Sequence, residues 1–196
     1  MKMGSILLKL YRRIKYPRRI IYGKIGKKNI FRRFSIVSLD SDIGNYNYIG
    51  SNSIISSASI GNYCSIAPNV LIGPANHPLE YISTSSHLFN KSTKFEFDMF
   101  KKKTRIGNDV WIGANVVVLQ GVTIGDGAVI GANSFVNKDV PAFSVFAGCP
   151  AKFIKSRFNE EEASKIISSK WWESKPKDAL IIADGLWSKL KENDNK

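Results

Sequence analysis

Histidine and cysteine are scarce, with two of each in 196 residues. Cys64 and Cys149 lie in ordinary repeat and turn sequence and cannot supply the several bridges that staple a small secreted domain, so a cytoplasmic protein is expected. His77 and His87 are too few, and lack the H-x4-H spacing, for a zinc centre held by three imidazoles, so no metal is expected. No run approaches the roughly 18 apolar residues of a membrane span, and Ile6-Leu7-Leu8 is too short for a signal-peptide core. Acids are absent from residues 1–33, which carry twelve of the 29 Lys and Arg; the other 17 nearly balance the 16 Asp and Glu. The formal charge of +13 is therefore a property of the amino end. No recognisable reading module with stacking aromatics accompanies it, which excludes nucleic acid as the partner.

Three segments can be distinguished. Residues 1–35 form a basic amino-terminal segment in which Ile6, Leu10 and Ile14 recur four apart, with Leu7 and Tyr11 alongside, so an amphipathic helix over residues 5–16 stops before Pro17. Its apolar stripe can dock on the domain or a partner subunit. Equally, residues 5–22 can lie on an anionic membrane, with Arg12, Arg13, Lys15, Arg18 and Arg19 toward headgroups.

Residues 36–158 carry the repeat. Ile43, Ile49, Ile54, Ile60, Ile66 and Ile72 follow at steps of six, five, six, six and six, and Ile106, Ile112, Val118, Ile124, Ile130 and Val136 at steps of six throughout. A period of six is neither helical nor a plain strand alternation. It means a short strand plus a corner, repeated, and predicts an all-β parallel β-helix. The branched residue points into the prism, the following Gly turns the corner, and the positions four later (Val110, Val116, Val122, Ala128, Ser134, Val140) are small or β-branched, as a crowded interior requires. The rhythm stops at His77, and residues 78–104 are polar and aromatic without period, a loop projecting from one corner. Residues 159–196 form a helical tail: Asn159 with Glu162 makes an N-cap pair, the first helix breaks at Pro176, and a second runs from about Lys177 to Leu190.

His77 closes the first array on rigid scaffold and opens the loop. A neutral imidazole there suits a general base that takes a hydroxyl proton near pH 7. Glu80 either orients that ring or is a solvated loop acid, and Asn76 is either a turn residue or an acceptor contact. His87, in mid-loop, has no repeat context and reads as an exposed surface residue.

The stretches DVWIGANVVVLQGVTIGDGAVIGANSFVNKDVP and AGCPAKFIKSRF, with KWW beyond them, resemble the xenobiotic and sugar acetyltransferases of the left-handed β-helix superfamily over about residues 36–175. The resemblance implies a left-handed coil, against the usual right-handed crossover. It also implies a homotrimer with acetyl-CoA in clefts between subunits, and it places His77 in the catalytic slot. Ala114 and Ala132 match positions whose backbone meets the pantetheine arm. Asn137 and Lys138 match a Thr-Lys pair near the nucleotide, and Lys152 and Lys155 match cations near the phosphates; related sugar enzymes carry Arg there, so charge is kept and the bidentate fork is lost. Trp111 either lines the cleft or packs under the loop. NHPLEYIS is closer to sugar O-acetyltransferases, which points to acetylation of a sugar hydroxyl in bacterial surface polysaccharide synthesis at the inner face of the cytoplasmic membrane. The tail Trp pair suits the alternative, antibiotic acetylation, although the long aromatic insertion of drug-modifying enzymes is missing.

Overall fold

The computed structural model describes residues 19–194. Strands of two or three residues feed three sheets in rotation as far as Phe135–Val136, and two longer strands, Ser144–Ala147 and Lys152–Ser156, then both join the third: sheet A has six strands, sheet B five and sheet C seven. Neighbouring strands pair in parallel, as in Leu71↔Val117 and Ile112↔Ile130. The exception is the last strand, Lys152–Ser156, which turns back antiparallel on Ser144–Ala147. One circuit of A, B and C is one coil of a parallel β-helix, so the molecule has three long edges, A–B, B–C and C–A.

Burial follows the six-residue phase. Ile49, Ile66, Ile72, Ile112, Ile124 and Ile130 are wholly buried, and so are Val110, Val116 and Ala128 at the second inward position. Each such Ile or Val removed from water contributes about 1.5–3 kcal/mol. In the lower coils the second position is polar, and its groups are paired: Ser53 Oγ donates to Ala67 O at 3.0 Å, and Asn47 Nδ2 to Gly61 O at 2.9 Å.

Two expectations need correction. The inward residue is Ile55, wholly buried, and Ile54 is 38% exposed on the outer face of sheet A. The five-residue step therefore falls between Ile55 and Ile60, where Ser57 takes φ 40° in a shortened corner. The prism also begins earlier than residue 36, because Ile20 pairs with Ile36, Ile25 with Ile43 and Phe31 with Ile49. Ile25, Phe31, Val37 and Ile43 are six apart, a phase obscured by the basic residues between them. The predicted helix over residues 5–16 lies outside the described residues.

The tail braces the B–C edge. A capping box joins Asn159 and Glu162, as expected, and starts helix α2 at Glu160–Ser169 after a short loop helix α1 at Ser86–Phe89. Lys170, at φ 46°, ends α2, and Trp171–Glu173 form a single tight turn. Pro176 does not break a helix but opens one, α3 at Pro176–Asp194, since the first helical turn has no use for the missing N–H. Tyr46 stacks on Tyr63 at 4.9 Å, Tyr63 meets Trp171 at 5.2 Å, and Tyr63 Oη donates to Ser174 O at 2.7 Å. Arg157 stands 3.6 Å from Asp109, whose carboxyl burial pushes above its usual range while the guanidinium opposes the shift.

Candidate active site

At the end of the Leu71–Ile72 strand the chain leaves the A–B edge. Gly73 makes the departure: it has φ +63°, and a Cβ there would stand 2.1 Å from Ser56 O, so no other residue fits the exit. Chain exit and return are then fastened to one side chain of the next coil, Gln120. Its Nε2 donates to Met99 O at 2.7 Å, and its Oε1 accepts from Lys102 N at 3.2 Å and from Asn76 Nδ2 at 3.4 Å. Asn76 N donates to the same Met99 carbonyl at 3.0 Å. Sequence reasoning did not single out Gln120, because it lies in an unbroken part of the repeat.

His77 follows at once, exposed, with its ring edge-on to Phe89 at 5.8 Å. Phe89, in α1, is buried and leads into an aromatic cluster: it meets Phe97 at 5.7 Å, Phe97 stacks with Phe95 at 6.4 Å, and Phe95 with Tyr81 at 4.6 Å. The projecting loop therefore has a small core of its own, and it ends at Lys103, since Thr104 already belongs to sheet B. A cleft of about 700 Å³ opens beside the cluster, lined by Glu80, Phe95, Glu96, Phe97, Asp98 and Lys101. Glu80 faces this cleft, and its carboxylate accepts from Leu79 N at 3.1 Å instead of meeting the imidazole. His87 is exposed on α1.

The candidate residues divide between two places on the prism. Asn76, His77, Glu80, Gln120, Asn137 and Lys138 all belong to the A–B edge, on corners that follow sheet-A strands. Ala114 and Ala132 belong to the C–A edge, where Asn133 N donates to Ala114 O at 2.8 Å. Beside them an exposed asparagine ladder climbs the coils, Asn52 to Asn69 to Asn115 to Asn133, at 3.1, 3.1 and 2.9 Å. Trp111, 56% exposed, lies on the outer face of sheet C, in the row Trp111, Val129, Val145, Lys155. It therefore neither packs under the loop nor shares an edge with His77.

Lys152 pairs with Ala147 and Lys155 with Val145, with a register shift between Val145 and Phe146. The bulge at Ile154 thus returns both lysines to one face of the strand, where a regular alternation would have opposed them. Among the described residues, no group of three His, Cys, Asp or Glu could hold a metal ion.

Residues 40–74 and 103–138 match the family model of the bacterial transferase hexapeptide (six repeats). A probable macrolide acetyltransferase of Lysinibacillus sphaericus is 42% identical over 137 residues, covering 65% of this chain and 72% of that protein. A chloramphenicol acetyltransferase of Morganella morganii is 39% identical over 121 residues, 58% of each chain. Among solved structures, a galactoside acetyltransferase in complex with coenzyme A superposes with a TM-score of 0.58 at 29% identity, covering 81% of this chain and 78% of that one. The all-β coil, the matched repeats and these relatives agree: the chain belongs to the hexapeptide-repeat acetyltransferases, with their left-handed β-helix.

Proposed function

We propose that this chain transfers the acetyl group of acetyl-CoA to a hydroxyl of a sugar, in the synthesis of bacterial surface polysaccharide. The observation that carries the acceptor class is the cleft in the loop that His77 opens. It joins the partly exposed rings of Phe95 and Phe97 to three carboxylates, Glu80, Glu96 and Asp98, and to one cation, Lys101. A sugar offers C–H faces to the rings and hydroxyl donors to the carboxylates, whereas an apolar acceptor would strand the acids. Relatives that modify antibiotics favour a second reading, acetylation of a drug hydroxyl.

In the proposed reaction, His77 takes the hydroxyl proton as the oxygen attacks the thioester carbonyl. The C–S bond breaks, and the proton passes to the departing thiolate of coenzyme A. Backbone N–H groups of a facing coil would stabilise the oxyanion. Ala114 and Ala132 suit a pantetheine arm because small side chains leave the corner backbone approachable, Trp111 would line its path, and Lys152 and Lys155 offer paired charge to phosphates from one face. Asn137 and Lys138 would meet the nucleotide end.

A single prism holds these groups on separate edges, so the complete site calls for a neighbour, and we infer a homotrimer. The outer row of sheet A supports it: Ile36, Ile54, Leu71, Val117 and Phe135 form an apolar stripe, while the equivalent row of sheet B reads Lys24, Asp42, Ser59, Arg105 and Thr123. A stripe of that kind is covered in a working protein. The proposed location is the cytoplasm, at the inner face of the membrane, through residues 5–22.

The test is coenzyme A release with nucleotide sugars, free sugars, lipid-linked oligosaccharides and chloramphenicol as acceptors. His77→Ala should form the same oligomer and lose turnover by roughly a hundredfold to ten-thousandfold; near-normal turnover removes the assignment. Turnover of chloramphenicol alone reverses the choice of acceptor.

A further inference from the structure

The first coil differs chemically from every coil above it. Its strands, Arg19–Ile21, Lys24–Ile25 and Ile30–Phe31, are the terminal strands of sheets A, B and C, so residues 19–34 form one end of the prism. Around that end stand Lys27 and Lys28 on the B–C edge and Arg32 and Arg33 on the C–A edge, all exposed. None of the four forms an ion pair among the described residues. No acid precedes Asp40, and the rest of the chain is close to neutral, so the molecule's positive field issues from this end.

The same end exposes large apolar groups, Tyr22 and Phe34 on the coil itself and Leu39, 77% exposed, on the next corner. Phe34 breaks a local rule. The corresponding corner of four later coils holds Asn52, Asn69, Asn115 and Asn133 at φ 59–60°, and Phe34 holds φ 62° there. Asparagine tolerates the left-handed region, while a bulky aromatic does so at a cost. Where a sequence departs from its own repeat toward strain and apolar exposure, function is the usual reason.

We propose that the first coil is a membrane-docking end: Lys27, Lys28, Arg32 and Arg33 meet anionic phospholipid headgroups, and Tyr22, Phe34 and Leu39 enter the interfacial layer. Charge complementarity favours a lipid surface. The apolar groups favour lipid over nucleic acid, because Tyr22 and Leu39 stand on the A–B edge and Phe34 on the C–A edge, so they make no continuous aromatic row on which successive bases could stack. This extends the location proposed for residues 5–22 onto the folded prism, and it is independent of the acetyl acceptor.

Co-sedimentation of the full chain with phosphatidylglycerol-containing vesicles tests it, with pure phosphatidylcholine vesicles as control. Binding should need the anionic lipid and weaken with salt. Replacing the four cations together (Lys27→Gln, Lys28→Gln, Arg32→Gln, Arg33→Gln) should weaken it roughly a hundredfold or more at low salt. Phe34→Asn restores the repeat's own residue, so the fold and oligomer should hold while binding falls about tenfold, the scale expected for a buried aromatic. Unchanged binding by both variants overturns the proposal. If Ile6→Asp with Leu10→Asp abolishes binding while the coil variants bind as wild type, residues 5–22 alone dock and the first coil does not. Absence of wild-type binding removes both ideas. Equal binding to neutral vesicles, tighter binding of single-stranded DNA, or a Phe34→Asn chain that falls to monomers also overturns it, the last by assigning Phe34 to subunit packing.

Discussion

Gln120→Leu isolates the fastening of the loop from the chemistry of His77. Three hydrogen bonds disappear, to Met99 O at 2.7 Å and from Lys102 N and Asn76 Nδ2 at 3.2 and 3.4 Å. A typical net contribution is about 0.5–1.5 kcal/mol each, and the position is half-buried, so water replaces part of it. The longest contributes least, and the total is roughly 1–3 kcal/mol. Leucine preserves the bulk, and the lost bonds hold the loop and leave the prism core intact. The midpoint of thermal unfolding should therefore move by less than the roughly 2–12 °C that the same energy would cost if it were lost from global stability, at about 2–4 °C per kcal/mol for a chain of this size. If catalysis needs the anchored loop, kcat/KM should fall roughly fivefold to a hundredfold. The Michaelis constant for the acceptor should rise while that for acetyl-CoA holds, because the loop lines the proposed acceptor cleft and the proposed pantetheine positions, Ala114 and Ala132, lie on the C–A edge. Steady-state kinetics with each substrate varied in turn is the assay. A variant with wild-type kcat/KM, or one whose loss merely tracks a matching loss of global stability, rules out a fastening role for Gln120.

Two further tests address the core and its face. Ile55→Glu should prevent folding, because a carboxylate in the wholly buried position has no partner; Ile54→Glu should fold normally by circular dichroism and sediment as a smaller species, and the reverse order would contradict an inward Ile55. Burial pushes the Cys64 thiol up to about 12, whereas Cys149 is exposed. A thiol reagent at pH 8 should therefore titrate one cysteine in the native protein and two in denaturant. Above pH 9.0, the reference value of a free thiol, the unfolded chain loses the Cys64 proton and the folded chain keeps it. Folding stability should thus decline as pH rises, with a limiting slope of about 1.4 kcal/mol per pH unit; a native Cys64 that reacts as fast as Cys149 would contradict its burial.

The β-helix is legible in the sequence because one residue in six carries the burial, and the position after it carries Gly often enough to mark corners. Where two neighbours are equally apolar the phase is ambiguous, and Ile54-Ile55 is such a pair: only the shortened corner at Ser56-Ser57 says which one turns in. The first coil is hidden for a different reason. Its Ile25 and Phe31 keep the period, in register with the buried Ile43 and Ile49, but a cluster of charge reads as a tail, although outward positions are free to carry charge without disturbing the core. His77 is visible because the period stops there. Gln120 is not, since its partners are mostly backbone groups some twenty residues away and nothing in its own hexad is irregular.

The division of the candidate residues between edges could have been counted. With three strands to a coil, His77 follows a first-sheet strand, while Ala114 and Ala132 follow strands of the third. That count also says what each edge is for. The A–B edge carries the loop and His77, and the B–C edge is occupied by Trp171, Ser174 and the helices behind them. Beside the C–A edge, with its open asparagine ladder, lie the apolar outer row of sheet A and the exposed Trp111 of sheet C. A neighbouring copy that covers these faces can bring its own A–B edge, with His77, against Ala114 and Ala132. The edge the tail leaves open is therefore where assembly would complete the site, and an Ile54→Glu chain that dissociates should lose turnover even though His77 and its loop are untouched.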